Sequence, residues 1–121
     1  MVAHFRAEYP VAVFEDFFDF LSFQTIHQNQ KQALTIFLVL NTLDLFERSL
    51  LLMEKHKQIQ LYLRHDSDSR KCIQLALKRS AKYKDESILY KDYGSLHNWL
   101  LHFDLLEKAK DLKESEEIRL P

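Results

Sequence analysis

The sequence predicts an α/β domain: a four-stranded, mainly parallel sheet with helices on both faces. Strand-length apolar runs, "VAVF" (11–14), "TIFLVL" (35–40), "IQLYL" (59–63) and "ESILY" (86–90), alternate with longer stretches of helical period. That alternation is the signature of βα units, whose strands are covered on both faces and therefore read as continuous apolar runs. A chain of 121 residues suits one domain with one core, and its 46% hydrophobic content with nine Phe and five Tyr supplies enough apolar surface to fold.

"VAVF" follows Pro10 and is short enough to be a buried strand. "EDFFDFLSFQTIHQ" (15–28) reads as a helix that is aromatic on most sides and packed accordingly. "TIFLVL" is the most continuous apolar run and is expected at the centre of the sheet. Asn41 is placed to cap the next helix, in which Leu43, Phe46, Leu50 and Met53 recur at helical spacing. A third helix is expected over 67–83, with Ile73, Ala76, Leu77, Ser80 and Tyr83 on one side and Lys71, Lys78, Arg79 and Lys82 on the other. Ser95 can cap a last helix whose Leu96, Trp99, Leu100, Phe103 and Leu106 face inward, and 107–121 reads as a charged helical tail.

Composition excludes several classes. Gly94 is the only glycine, so neither a P-loop nor a dinucleotide fingerprint is present. Cys72 is the only cysteine, which rules out an internal disulfide or a cysteine-rich zinc module and fits a reducing, cytoplasmic location. No apolar run reaches the roughly 20 residues of a membrane span, and "MVAHFRAEYP" lacks the apolar core of a secretion signal. The net charge of -1 hides a basic middle: residues 55–84 carry nine basic and two acidic side chains, against three and seven in 1–54 and five and nine in 85–121.

In an open parallel sheet, chemistry gathers at the carboxyl ends of the strands. Glu15 and Asp16 follow the first strand, Asn41 and Asp44 the second, Arg64, His65, Asp66 and Asp68 the third, and Asp92 the fourth. Carboxylates without cysteine suit Mg²⁺ or Mn²⁺.

Four ordered segments, "VFEDFFDFLS" (13–22), "LVLNTLDLFERSL" (38–50), "IQLYLRHDSDSRK" (59–71) and "YKDYGSLHNWL" (90–100), resemble the Toprim domain of topoisomerases and primases, and most closely primase-like proteins of Bacteroides-type mobile elements. The resemblance covers about residues 9–103. It implies that Glu15 stands where the family has a glutamate acting in proton transfer, and Asp66 where it has the second member of a metal-holding acidic pair. The first member is Arg64 here. Two family glycines are Asp16 and Ser69, and an Asp-Leu-Asn stretch is Ser95–His97. A guanidinium in place of a ligand repels a dication, so the resemblance implies a degenerate metal site at Asp66 and Asp68, with weak Mg²⁺ binding or none, a vestigial Glu15, and Arg64 paired with Glu15.

The plain reading of Asp66, weighed ahead of a ligand, is a turn or helix cap, because aspartates at i and i+2 on a turn are common without any metal. The group of Phe14, Phe17, Phe18, Phe20 and Phe23 reads as core before it reads as a base-stacking platform. The basic face of Lys71, Lys78, Arg79 and Lys82 suits phosphates of DNA or RNA as well as plain solvation. Three function classes stay open: a catalytically impaired module of a DNA primase-related replication protein, with nucleic acid and other replication modules as partners; an active Mg²⁺-dependent phosphoryl-transfer or nuclease enzyme using Glu15, Asp66 and Asp68; and a non-catalytic partner-binding scaffold. No membrane partner is expected.

Overall fold

A computed structural model describes residues 8–28 and 34–103. The proposed tail at 107–121 and Leu106 lie outside the described residues. Strands β1 (Val11–Phe14), β2 (Ile36–Val39), β3 (Ile59–Tyr62) and β4 (Tyr83–Asp85) form one sheet in the order β2-β1-β3-β4. Every neighbouring pair is parallel, with Val11 opposite Ile36 and Ile59, and Ile59 opposite Tyr83. Between them run helices α1 (Phe17–Ile26), α2 (Asp44–Met53) and α3 (Ser67–Arg79), then a 3-10 turn at Ser87–Tyr90 and a last helix α4, described over 96–103.

Strand alternation sorts the core into two halves. Val11, Val13, Ile59, Leu61 and Leu63 face one side, where Phe46, Leu50 and Met53 of α2 and Ile73 and Ala76 of α3 cover them. Ala12, Phe14 and Tyr62 face the other, against Phe23 of α1, Tyr90 and Leu96. Phe14 is the hub of that half: its ring stacks on Tyr62 at 5.0 Å and meets Phe20 and Phe23 edge-on at 5.6 and 5.2 Å.

Five expectations need correction. "TIFLVL" forms an edge strand, and β1 is central; apolar continuity reports two covered faces, not the number of strand neighbours. The fourth strand is 83–85 rather than 86–90, because Asp85 Oδ1 accepts both the Ser87 N–H and the Ser87 hydroxyl, at 2.9 and 2.5 Å, and turns the chain out of the sheet. Helix α3 accordingly ends at Arg79, with Ser80 extended, so Tyr83 is buried from a strand while Leu77 is exposed. Asn41 does not cap α2; it sits at φ 67, a left-handed conformation that Asn tolerates, and the helix begins after Leu43. On α1 and α4, Phe17, Phe18 and Phe103 are half exposed instead of packed. The Ser95 cap is as expected, its Oγ accepting the Asn98 N–H at 3.1 Å.

Candidate functional site

Chain turns at the carboxyl ends of β1 and β3 bring the two predicted halves of the site together. Asp16 caps α1 by accepting the Asp19 N–H at 3.0 Å, and Asp66 caps α3 by accepting the Ser69 N–H at 2.8 Å. That bond, with the Arg64 charge adding, holds the Asp66 carboxyl below its ordinary range. Because β1 and β3 are neighbours, Glu15 reaches across to β3: its Oε2 accepts the Arg64 backbone N–H and the Ser69 hydroxyl, both at 2.8 Å. Ser69 is fully buried, so Glu15 and Asp66 are joined through one serine.

The Arg64 guanidinium does not pair with Glu15. It hydrogen-bonds and ion-pairs with Asp16, and its Nε lies 3.7 Å from Asp19 Oδ2. The Arg64 backbone N–H goes to Glu15 while its side chain extends to Asp16, the cap of α1.

Asp19 escaped the sequence reading and is the most buried charge of the site, at 1% exposure. Its Oδ1 accepts the His97 N–H at 3.1 Å, while its Oδ2 and Arg64 Nε are both buried without a hydrogen-bond partner. Burial raises the Asp19 pKa to about 6; the His97 N–H opposes this and the Glu15 charge adds to it. The available signal was a lone acid among aromatics in "FFDF". His97, from the first turn of α4, completes the link: the Ser22 hydroxyl donates to Phe18 O at 2.9 Å, so its oxygen accepts from His97 Nδ1 at 3.1 Å. Arg64, Asp66, Gly94, Ser95, His97 and Asn98 then line a cleft of about 270 Å³.

His65 is a structural tie. Its Nε2–H donates to Ser87 O at 2.8 Å, and its Nδ1 faces Arg70, which bonds the Ser87 hydroxyl and Asp85 at 2.6 and 2.7 Å. Asp68 is exposed in the first turn of α3, and Asn41, Asp44 and Asp92 are exposed away from the cleft lining. Among the described residues no three His, Cys, Asp or Glu side chains converge as a metal set. Glu15 Oε2 and Asp66 Oδ1 accept backbone and serine donors, and the Asp16 carboxylate meets the Arg64 guanidinium.

The predicted basic face divides. Arg79 makes a bidentate pair with Glu54 at 2.8 and 2.9 Å, and Lys82 Nζ donates to Glu54 O at 2.8 Å. Lys71 and Lys78 are exposed and make no ion pair among the described residues. No helix among the described residues is long and apolar enough to cross a membrane.

No protein-family model matches the chain, and no curated protein is detectably similar to it. The chain is similar to solved primase-containing structures. The primase fragment of the bacteriophage T7 primase-helicase protein superposes with a TM-score of 0.59 at 13% identity, over 86% of this chain and 43% of the fragment. A complex of the T7 lagging-strand DNA polymerase with primase domains bound to an RNA/DNA hybrid and dTTP gives 0.49 at 15% identity, over 66% and 42%. The chain thus spans less than half of the chains it matches, and what the likeness shows is the fold, a Toprim-like α/β arrangement with a four-stranded parallel sheet.

Proposed function

We propose that this chain is a Toprim-like module of a DNA primase-related replication protein, of the kind found on mobile elements, in which the carboxyl-edge site is closed by a tethered cation in place of a bound one. The observation that carries this reading is the position of Arg64: it comes from the residue where the resemblance puts a metal ligand, and its guanidinium is fixed on Asp16 beside the buried Asp19. Glu15, at the proton-transfer position, accepts two fixed hydrogen bonds that hold it as a structural acceptor. Mg²⁺ binding by Asp66 and Asp68 is weak or lost, the module does not catalyse phosphoryl transfer, and its partners are DNA or RNA and other replication modules.

Isothermal titration with Mn²⁺ tests this. The native chain is expected to show no saturable binding in the micromolar range, and Arg64→Asp, which restores an acidic pair with Asp66, to gain it. Tight binding by the native chain, abolished by Glu15→Gln and Asp66→Asn, would refute the reading and favour the active enzyme.

A further inference from the structure

Five basic residues of the chain's middle, Lys55, Lys57, Lys78, Arg79 and Lys82, come together at one end of the sheet, opposite the cleft. Residues 54–58 lead into β3 and residues 80–82 into β4, so both loops lie at the amino-terminal edge of the sheet. Contacts between them are specific. The Ile59 N–H donates to Lys82 O at 2.9 Å, Lys82 Nζ reaches Glu54 O, and Arg79 holds the Glu54 carboxylate. The segment before β1 joins the same edge, with the Val11 N–H on Gln58 O at 3.0 Å and His56 Nδ1 on Tyr9 O at 2.9 Å.

Lys55, Lys57, Lys78, Arg79 and Lys82 are all exposed there, against Glu54 and Glu8 among the described residues. Glu54 is consumed internally, which leaves the lysines facing outward. At the carboxyl edge the balance is reversed: Glu15, Asp16, Asp19, Asp66, Asp68 and Asp85 stand against Arg64, Arg70 and Lys71. Among the described residues charge is therefore polarised along the strand direction, which draws an anionic partner to the amino-terminal edge rather than to the cleft.

We infer that the amino-terminal edge, built from Lys55, Lys57, Lys78 and Lys82, is a binding surface for the phosphate backbone of nucleic acid. It rests on the reading of a nucleic-acid partner and is independent of the metal question, which the Mn²⁺ titration decides separately. A polyphosphate backbone matches this cluster of exposed lysines in charge. DNA presents about one charge per 1.7 Å of duplex axis, and each lysine that neutralises a phosphate releases condensed counterions. Lys71 does not belong to the surface: it lies eight residues before Arg79 on α3, about 12 Å along the helix, towards the carboxyl edge.

Fluorescence anisotropy with labelled single-stranded DNA, at salt from about 50 to 200 mM, tests the surface. Lys55→Gln, Lys57→Gln and Lys78→Gln are combined, because these side chains make no hydrogen bond or ion pair among the described residues and Lys82 is left to hold Glu54. Circular dichroism confirms folding. The expected result is at least about tenfold weaker binding at low salt and a log–log salt slope shallower by about 0.7 for each lost contact. Lys71→Gln is expected to change affinity less than about twofold. Absence of DNA binding by the native chain, an unaffected triple variant, or an equal loss from Lys71→Gln overturns the inference. Exposed Leu51 and Leu52 lie on the last turn of α2 beside this edge, so phosphatidylserine vesicles form a second arm. Binding to vesicles without binding to DNA assigns the edge to a membrane surface and equally overturns it.

Discussion

Glu15 meets Arg64 through the Arg64 backbone N–H, at 2.8 Å, while the guanidinium of the same residue goes to Asp16. The carboxylate is therefore an acceptor that ties β1 to the start of α3 through Ser69. Removing it strands two donors, one of them on a fully buried serine. Glu15→Ala is expected to destabilise the fold by about 1–3 kcal/mol in urea unfolding, and Glu15→Gln, which keeps an acceptor, by less than about 1. Equal losses for both would show that charge, and not acceptance, matters at this position.

The buried Asp19 predicts a pH dependence. Its folded pKa of about 6 lies above the ordinary 3.8, so the folded state holds the proton more tightly than the unfolded chain. Its ionisation costs stability progressively as pH rises from about 4 to 6, and fully above that. Asp19→Asn keeps the acceptor for the His97 N–H and is expected to be more stable than the native chain by about 1–3 kcal/mol at pH 7.5, with the difference vanishing near pH 4. A variant less stable at both pH values would show that the Arg64 attraction outweighs burial.

Asp66 and Asp68 separate a cap from a ligand pair. Asp66→Ala removes the side chain that holds the Ser69 N–H and is expected to cost about 0.5–2 kcal/mol. Asp66→Asn should be nearly neutral, and Asp68→Ala should fall within about 0.5 kcal/mol because that side chain is exposed. Thermal melts in chelator-treated buffer measure all three. A loss at Asp68 as large as at Asp66 contradicts the cap.

Glu54 shows the opposite pH behaviour to Asp19. Hydrogen bonds from Arg79 and then Tyr83 lower its pKa from 4.5 to about 2. The stability it contributes is complete above about pH 4.5 and disappears as pH falls towards 2. Glu54→Gln should therefore lower Tm at pH 6 and leave it unchanged at pH 2. A Tm deficit that persists at pH 2 would mean that packing, and not charge, is what the glutamate supplies.

The ring cluster gives a last check on which half of the core is tightest. Phe14→Ala removes a fully buried ring that contacts Phe20, Phe23, Phe37 and Tyr62 and is expected to cost about 3–5 kcal/mol. Phe18→Ala, on a 60% exposed ring, should cost less than about 1. Urea midpoints for the two variants measure the contrast, and similar losses would place Phe18 in the core.

Local chemistry made three of the four strands legible from sequence: a strand covered on both faces must be continuously apolar, and "VAVF", "TIFLVL" and "IQLYL" are. Periodicity and a capping serine likewise marked the start of α4 at Ser95. These features depend on residues close in the chain, so the chain alone determines them. The order of strands does not, because nothing in "TIFLVL" records whether it has one strand neighbour or two, and it became the edge. Helix length failed for a related reason: Tyr83 falls on the helical stripe of α3 by period, yet Ser80, three residues before it, is extended and the sheet takes Tyr83. At the candidate site the sequence indicated that Glu15, Arg64 and Asp66 would share one edge. Which atom of Arg64 meets which acid was decided by tertiary structure, because parallel pairing of β1 with β3 aims the Arg64 N–H at Glu15 and leaves its guanidinium to span to Asp16. Asp19 and His97 could be joined only by packing α4 against α1, a contact across seventy-eight residues that no local pattern encodes.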